Sequence, residues 1–276
     1  MRLDTRPILA LCLLILQTAC QGNQPPTSNP TLAPAFANSQ PNSTRLALSY
    51  RTVALSGEFV FAPGDSSIWL QDAATLVAKP LLKHSEVEYY ESPSFSPDGS
   101  QIVYVRYTFD QEGGQIKEIH VIATDGTNDR VLFKPDAAGL RTFLSDPRYS
   151  PDDNWIYFSV STIIDELTGK QANQIVRGPI SGGGWQVVVE GADHPRLSKD
   201  GRHLAFLRFN PQTFSSSLWV ANPDGSNPRQ ILPDDVFAGV IGQSFSPDDS
   251  WIVFAASGPP NRALPENRLR LIFVPA

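Results

Sequence analysis

The hexapeptide Ser94-Phe95-Ser96-Pro97-Asp98-Gly99 returns as Arg148-Tyr149-Ser150-Pro151-Asp152-Asp153, as Arg196-Leu197-Ser198-Lys199-Asp200-Gly201 and as Ser244-Phe245-Ser246-Pro247-Asp248-Asp249. Its inner serine stands at 96, 150, 198 and 246, at intervals of 54, 48 and 48 residues, the length of one four-stranded propeller blade. Pro97 presets φ for the second position of a type I turn. Asp98 hydrogen-bonds the local backbone, and Gly99 accepts the left-handed conformation that closes the turn. Where glycine is missing, Asp153 and Asp249 stand in, because aspartate visits that region at modest cost. An apolar run follows each turn: Ile102-Val103-Tyr104-Val105, Ile156-Tyr157-Phe158, Leu204-Ala205-Phe206-Leu207 and Ile252-Val253-Phe254. Unbroken apolarity means that both faces of the strand are covered, as in blades stacked around an axis.

A third strand recurs as Glu118-Ile119-His120-Val121-Ile122, Gln174-Ile175-Val176-Arg177 and Leu218-Trp219-Val220. A second turn follows at Asp125-Gly126, Ser181-Gly182-Gly183-Gly184 and Asp224-Gly225, then an outer strand such as Arg130-Val131-Leu132-Phe133. With the four strands of a blade named A to D from the inside out, residues 58–61, 67–70 and 76–78 supply B, C and D of a first blade. The last blade has A, B and C, ending at residues 270–274. The expected fold is therefore all-β, a propeller of about five four-stranded blades. Its ring would close by pairing of the N- and C-terminal strands, with Arg45-Leu46-Ala47-Leu48-Ser49-Tyr50 filling the outer place of the last blade.

The Ser-Pro-Asp-Gly turn, the apolar strand after it and the later Leu/Ile-x-Val element resemble the TolB-like β-propeller repeats, which also occur in the non-catalytic domains of prolyl oligopeptidase relatives. The resemblance covers residues 49–276. It implies the propeller fold, and it implies the periplasmic interaction role that TolB has, although TolB carries an N-terminal domain for which this sequence shows no room. Function, however, sits in sites grafted on folds.

The amino terminus speaks to location. Arg2 and Arg6 precede an apolar stretch, residues 7–16, that is short for a membrane span, so residues 1–19 read as an export signal. The run Leu16-Gln17-Thr18-Ala19-Cys20 resembles the lipobox of bacterial lipoproteins, with Gln17 where an aliphatic residue is usual; the resemblance implies lipidation of Cys20. Residues 20–44 are rich in Pro, Asn, Ser, Thr and Gln and read as a disordered tether, with the propeller spanning 45–276. The expectation is an exported protein of the bacterial envelope, lipid-anchored on its periplasmic or surface side. A net charge of −6 without a dense basic stripe excludes nucleic acid as a partner.

Catalytic signatures are missing from the sequence: there is no Gly-x-Ser-x-Gly elbow, no paired-cysteine metal pattern and no phosphate loop. His120 falls in a C strand and His203 at the start of a B strand, while His84 and His194 lie in or at the end of D-to-A connections. Oligogalacturonate lyases resemble this fold and use histidines at a metal site, but no comparable constellation is legible here. No catalytic residue, metal or cofactor is therefore expected.

Strand reversal puts the tight A–B and C–D turns at one end of the blades and the long B–C and D–A connections at the other. Long loops on a rigid scaffold are where binding usually resides. On that face Glu86, Glu88, Tyr89, Tyr90, Glu91 and His194 are the candidate binding residues, with tyrosines beside carboxylates suiting cationic groups or a stacking sugar. The function expected is a non-catalytic envelope binding or scaffold lipoprotein that presents a loop face to a protein or glycan partner. The alternative is a hydrolase or lyase with its site in the central channel.

Overall fold

The structure is a computed structural model that describes residues 56–109, 114–135, 141–165, 167–234, 236–237, 239–258 and 270–276. Eighteen strands form five antiparallel sheets. The first blade is β1 (Glu58–Phe61), β2 (Ile68–Asp72) and β3 (Ala78–Leu82). The second is β4 (Glu88–Phe95), β5 (Gln101–Phe109), β6 (Gln115–Ala123) and β7 (Arg130–Phe133). The third is β8 (Thr142–Tyr149), β9 (Trp155–Asp165), β10 (Lys170–Pro179) and β11 (Gln186–Glu190). The fourth is β12 (Asp193–Leu197), β13 (Leu204–Asn210), β14 (Ser215–Ala221) and β15 (Arg229–Leu232). The fifth is β16 (Gly239–Phe245), β17 (Trp251–Ser257) and β18 (Arg270–Pro275). The result is the five-bladed propeller expected, with three strands in the first and last blades and four in the others. The closing strand proposed at residues 45–50 lies outside the described residues.

Strand periodicity explains the apolar runs. Side chains alternate between sheet faces, so along β5 Ile102 and Tyr104 enter the cluster shared with Val60, Ile68 and Leu70 of the first blade. Val103 and Val105 point the other way and join Leu144, Ile156 and Phe158 of the third. The same division splits Tyr157 from Phe158, and Phe206 from Leu207. Each core is thus an interface between two blades, and burying one such side chain fully is worth roughly 1.5–3 kcal/mol.

The repeated turn is built identically each time. The hydroxyl of Ser96, Ser150, Ser198 and Ser246 donates to the aspartate two residues on, at 2.6, 2.5, 2.7 and 2.5 Å. The same oxygen accepts the N–H of the residue five positions on, at or just before the start of the next strand, at 2.9, 3.0, 2.9 and 3.0 Å. Gly99, Asp153, Gly201 and Asp249 all have positive φ, between 57° and 75°, as the sequence requires. Asp249 does more: its carboxylate accepts the backbone N–H of Lys199 at 2.8 Å and of Asp200 at 2.9 Å, tying the last blade to the fourth.

The inner strands begin earlier than the sequence suggests. From the sequence, residues 83–92 and 134–147 are long D-to-A connections, yet β4 and β8 begin within them and run through Pro93 and Pro147. Each proline sits at a register shift, between Glu91 and Ser94 and between Ser145 and Arg148. A bulge needs no ladder N–H from it.

Candidate functional site

The bulge recurs in every described inner strand. Ser92, Asp146, His194 and Gly242 have φ of 55°, 50°, 56° and 65°, and the register of each strand slips there. These residues repeat at the same intervals as the turn serines. A left-handed conformation is costly for most L-residues, and aspartate and histidine are among those that tolerate it. The freed backbone is satisfied locally: His194 N–H donates to Ser159 Oγ at 2.9 Å, and the Gln243 side-chain amide donates to the His194 carbonyl.

These bulges bring charges from two blades together. His194 Nε2 lies 3.3 Å from Asp146 Oδ2, and its Nδ1 lies 3.0 Å from Asp193 Oδ1. Arg148 and Arg196 both face Asp146 Oδ1, at 3.5 and 3.6 Å. Burial alone would raise the Asp146 pKa, but the positive charges of Arg196, His194 and Arg148 outweigh it and hold it down at about 2. Burial and the like charge of Arg196 bring Arg148 down to about 9 against the pull of Asp146. For His194, burial opposes the charged ring, yet Asp193 and Asp146 prevail and its pKa is raised.

Two residues after each bulge, Ser94, Arg148, Arg196 and Ser244 line a cavity of about 710 Å³. Its mouth is formed by the repeated turns, at Pro97, Pro151, Lys199 and Pro247. It therefore opens at the tight-turn end, opposite the long loops.

The residues singled out from the sequence divide into two places. Glu88, Tyr89, Tyr90 and Glu91 lie in β4, with Glu86 just before it. Tyr89 stacks on Tyr107 at 5.0 Å and donates to the Glu86 carbonyl at 3.2 Å. Tyr90 is only 7% exposed, packs in the core between the first two blades and donates to Glu88 at 3.1 Å; burial raises its pKa to about 12. Glu91 pairs with Lys117 at 2.6 Å. His194 stands apart from these, in the inner strand β12 beside Asp146. Cys20 lies outside the described residues. Among the other histidines, His120 is buried in β6 between Asp129 and Glu118, at 3.1 and 3.3 Å. Among the described residues, no group of three or more metal-ligating side chains has a geometry that would hold an ion.

The long-loop end carries a different feature. Where the B strand passes to the C strand, Phe109 and Ile116 of the second blade, Ile164 and Leu167 of the third and Phe209 and Phe214 of the fourth are all exposed. Leu167 is 99% exposed and Phe214 75%. The sequence reading weighed only charge and tyrosine there and passed over these side chains. The Asp146–His194 pairing also escaped it, although the signal was present in Ser92-Pro93, Asp146-Pro147 and His194-Pro195, each four residues ahead of a turn serine.

No family model and no curated protein sequence matches this chain. Solved structures do. A putative TolB from Agrobacterium tumefaciens superposes with a TM-score of 0.58 at 18% identity, over 79% of this chain and 73% of that one. The oligogalacturonate lyase from Vibrio parahaemolyticus gives 0.54 at 14% identity, over 79% and 62%. TolB from Acinetobacter baumannii gives 0.50 at 19% identity, and this chain spans about half of its length, 51%. At these identities the likeness is one of architecture: the fold is a β-propeller of the kind found in TolB and in oligogalacturonate lyase.

Proposed function

We propose that this protein is a non-catalytic binding module of the bacterial envelope, held by a lipid on Cys20 and docking an envelope protein, or a glycan of that compartment, on its long-loop end. The observation that carries the reading is the set of exposed apolar side chains on the B–C hairpins of three consecutive blades, with Leu167 and Phe214 the most exposed of them. Exposed apolar and aromatic side chains gathered on one end of a fold mark protein interaction surfaces, and they favour a protein surface over a sugar. The lipobox-like run before Cys20 and the TolB-like fold support the compartment.

A second reading, a channel enzyme, rests on His194 between Asp193 and Asp146, an arrangement able to move a proton. The loop face is favoured because six large apolar side chains of three consecutive blades are exposed there. The deciding experiment is site-specific photo-crosslinking in cells, with the reactive group at 167 or 214 and, as controls, at 125 or 224 on the tight turns. Discrete adducts from 167 and 214 are expected. Adducts from 125 and 224 alone would reverse the choice of face, and turnover of a polyuronate that His194→Asn abolishes would establish the enzyme.

A further inference from the structure

At the tight-turn end the channel wall is cationic at one depth. The four inner strands each present one residue there, Ser94, Arg148, Arg196 and Ser244, so that two guanidiniums from neighbouring blades stand side by side between two hydroxyls. They share a single carboxylate, Asp146, which they reach only at 3.5 and 3.6 Å, and Asp146 itself does not line the cavity. Arg148 also donates to the carbonyls of Pro147 and Ser92, at 2.8 and 3.4 Å, and Arg196 to that of Pro195 at 2.7 Å. A guanidinium has five N–H groups in a planar fork, more than these contacts use.

Two of the acids at the mouth are already engaged. Asp98 accepts from Ser96 and Ser100, and Asp249 accepts the backbone N–H groups of Lys199 and Asp200. Glu58 stands on the first blade, across from the arginines, with Lys199 on the fourth. The rest of the wall is largely apolar, with Phe59, Phe95, Tyr149, Leu197 and Phe245.

We propose that this cavity binds a carboxylate-bearing peptide segment of a partner protein, with Arg148 and Arg196 forking its carboxylate and the apolar wall taking its neighbours. Paired guanidiniums match the planar, two-oxygen geometry of a carboxylate. Buried beside a like charge, Arg148 already has its pKa brought down, a repulsion that an anion relieves. The chain's own tether is excluded as the occupant, because residues 20–57 contain no aspartate or glutamate. A uronate saccharide would supply the carboxylate, but its hydroxyls would lie unpaired against the phenylalanines. This site lies at the end opposite the loop face and stands whether or not a partner docks there.

The test uses the full chain and three probes in fluorescence anisotropy or its competition form: a fluorescein-labelled pentapeptide of alternating leucine and glutamate, its glutamine counterpart, and unlabelled digalacturonate. The glutamate peptide is expected to bind about tenfold or more tightly than the glutamine one, the scale of one charge-assisted pair. Arg196→Gln is expected to weaken it by a similar factor. Ser244→Glu, which sets a carboxylate opposite the arginines without removing either, is expected to do the same at an unchanged melting temperature. The proposal is overturned by equal affinity for the two peptides, by indifference to both variants, or by no binding of the glutamate peptide at millimolar concentration. Tighter competition by digalacturonate than by the peptide would overturn the peptide class in favour of a saccharide.

Discussion

His194 and Asp146 hold the same place on neighbouring blades: each is the left-handed residue of its inner strand, and the two meet with Nε2 3.3 Å from Oδ2. A repeat that is structural in origin thus brings a titratable pair together across two blades.

That pairing fixes a pH dependence. The folded His194 pKa is raised, so its contribution to stability is fully present below the unfolded value near 6.5 and is lost as pH rises through the folded value. The denaturation midpoint should therefore fall as pH rises above about 6.5 in the native protein. His194→Asn, which keeps a residue tolerant of the left-handed backbone, should flatten that fall. Identical pH profiles for the two proteins would refute the coupling.

Asp146 has the opposite sign. Its folded pKa of about 2 lies below the unfolded value, so its stabilisation is present above roughly pH 4 and disappears as pH falls through 2. At pH 7, Asp146→Asn leaves Arg148 and Arg196 facing each other without their shared carboxylate. A loss of about 3 kcal/mol in urea unfolding is expected, the scale for breaking a buried pair. The double variant Asp146→Asn with Arg148→Gln should recover part of it.

Gly225 should be intolerant of any side chain. A Cβ there would meet the Val188 carbonyl oxygen of the neighbouring blade at 2.1 Å, on a backbone with φ of +84°. Gly225→Ala should cost about 2 kcal/mol or more in stability. Gly64→Ala, with nothing within 4 Å and no positive φ, should be within roughly 0.5 kcal/mol of neutral. Thermal denaturation of both variants checks the contrast.

Among the turn serines, Ser198 is wholly buried, at 0% exposure, and makes both of the recurring bonds. Ser198→Ala should lose about 1–2 kcal/mol by leaving the His203 N–H without its hydroxyl partner. The exposed Ser100, replaced by alanine, should lose little.

If Cys20 carries the anchor, Cys20→Ser should move the protein from the membrane fraction to the soluble one, since each buried methylene of a lipid chain contributes about 0.8 kcal/mol. Membrane retention of the variant would remove the lipid from the proposed function.

The blade count was legible because Ser-Pro-Asp recurs in register and the run after it has no polar face to leave exposed. The inner strands were not, because proline is normally evidence against a strand, and only the bulge makes Pro93, Pro147 and Pro195 compatible with one. Tyr90 was read as surface because it neighbours Glu88 and Glu91. Alternation instead turns it inward between Val60 and Tyr104. The charge cluster depends on contact between residues 48 apart, which spacing alone cannot rank above any other repeat position.

The bulge positions also separate two kinds of selection. Turn serines and interblade hydrophobics hold the ring together, whereas Ser92, Asp146, His194 and Gly242 share one backbone conformation and differ completely in chemistry. The side chain at the bulge can therefore be changed one blade at a time, like characters in a fixed-width word. Relatives with the same architecture can recognise unrelated molecules without any change to the scaffold that displays them.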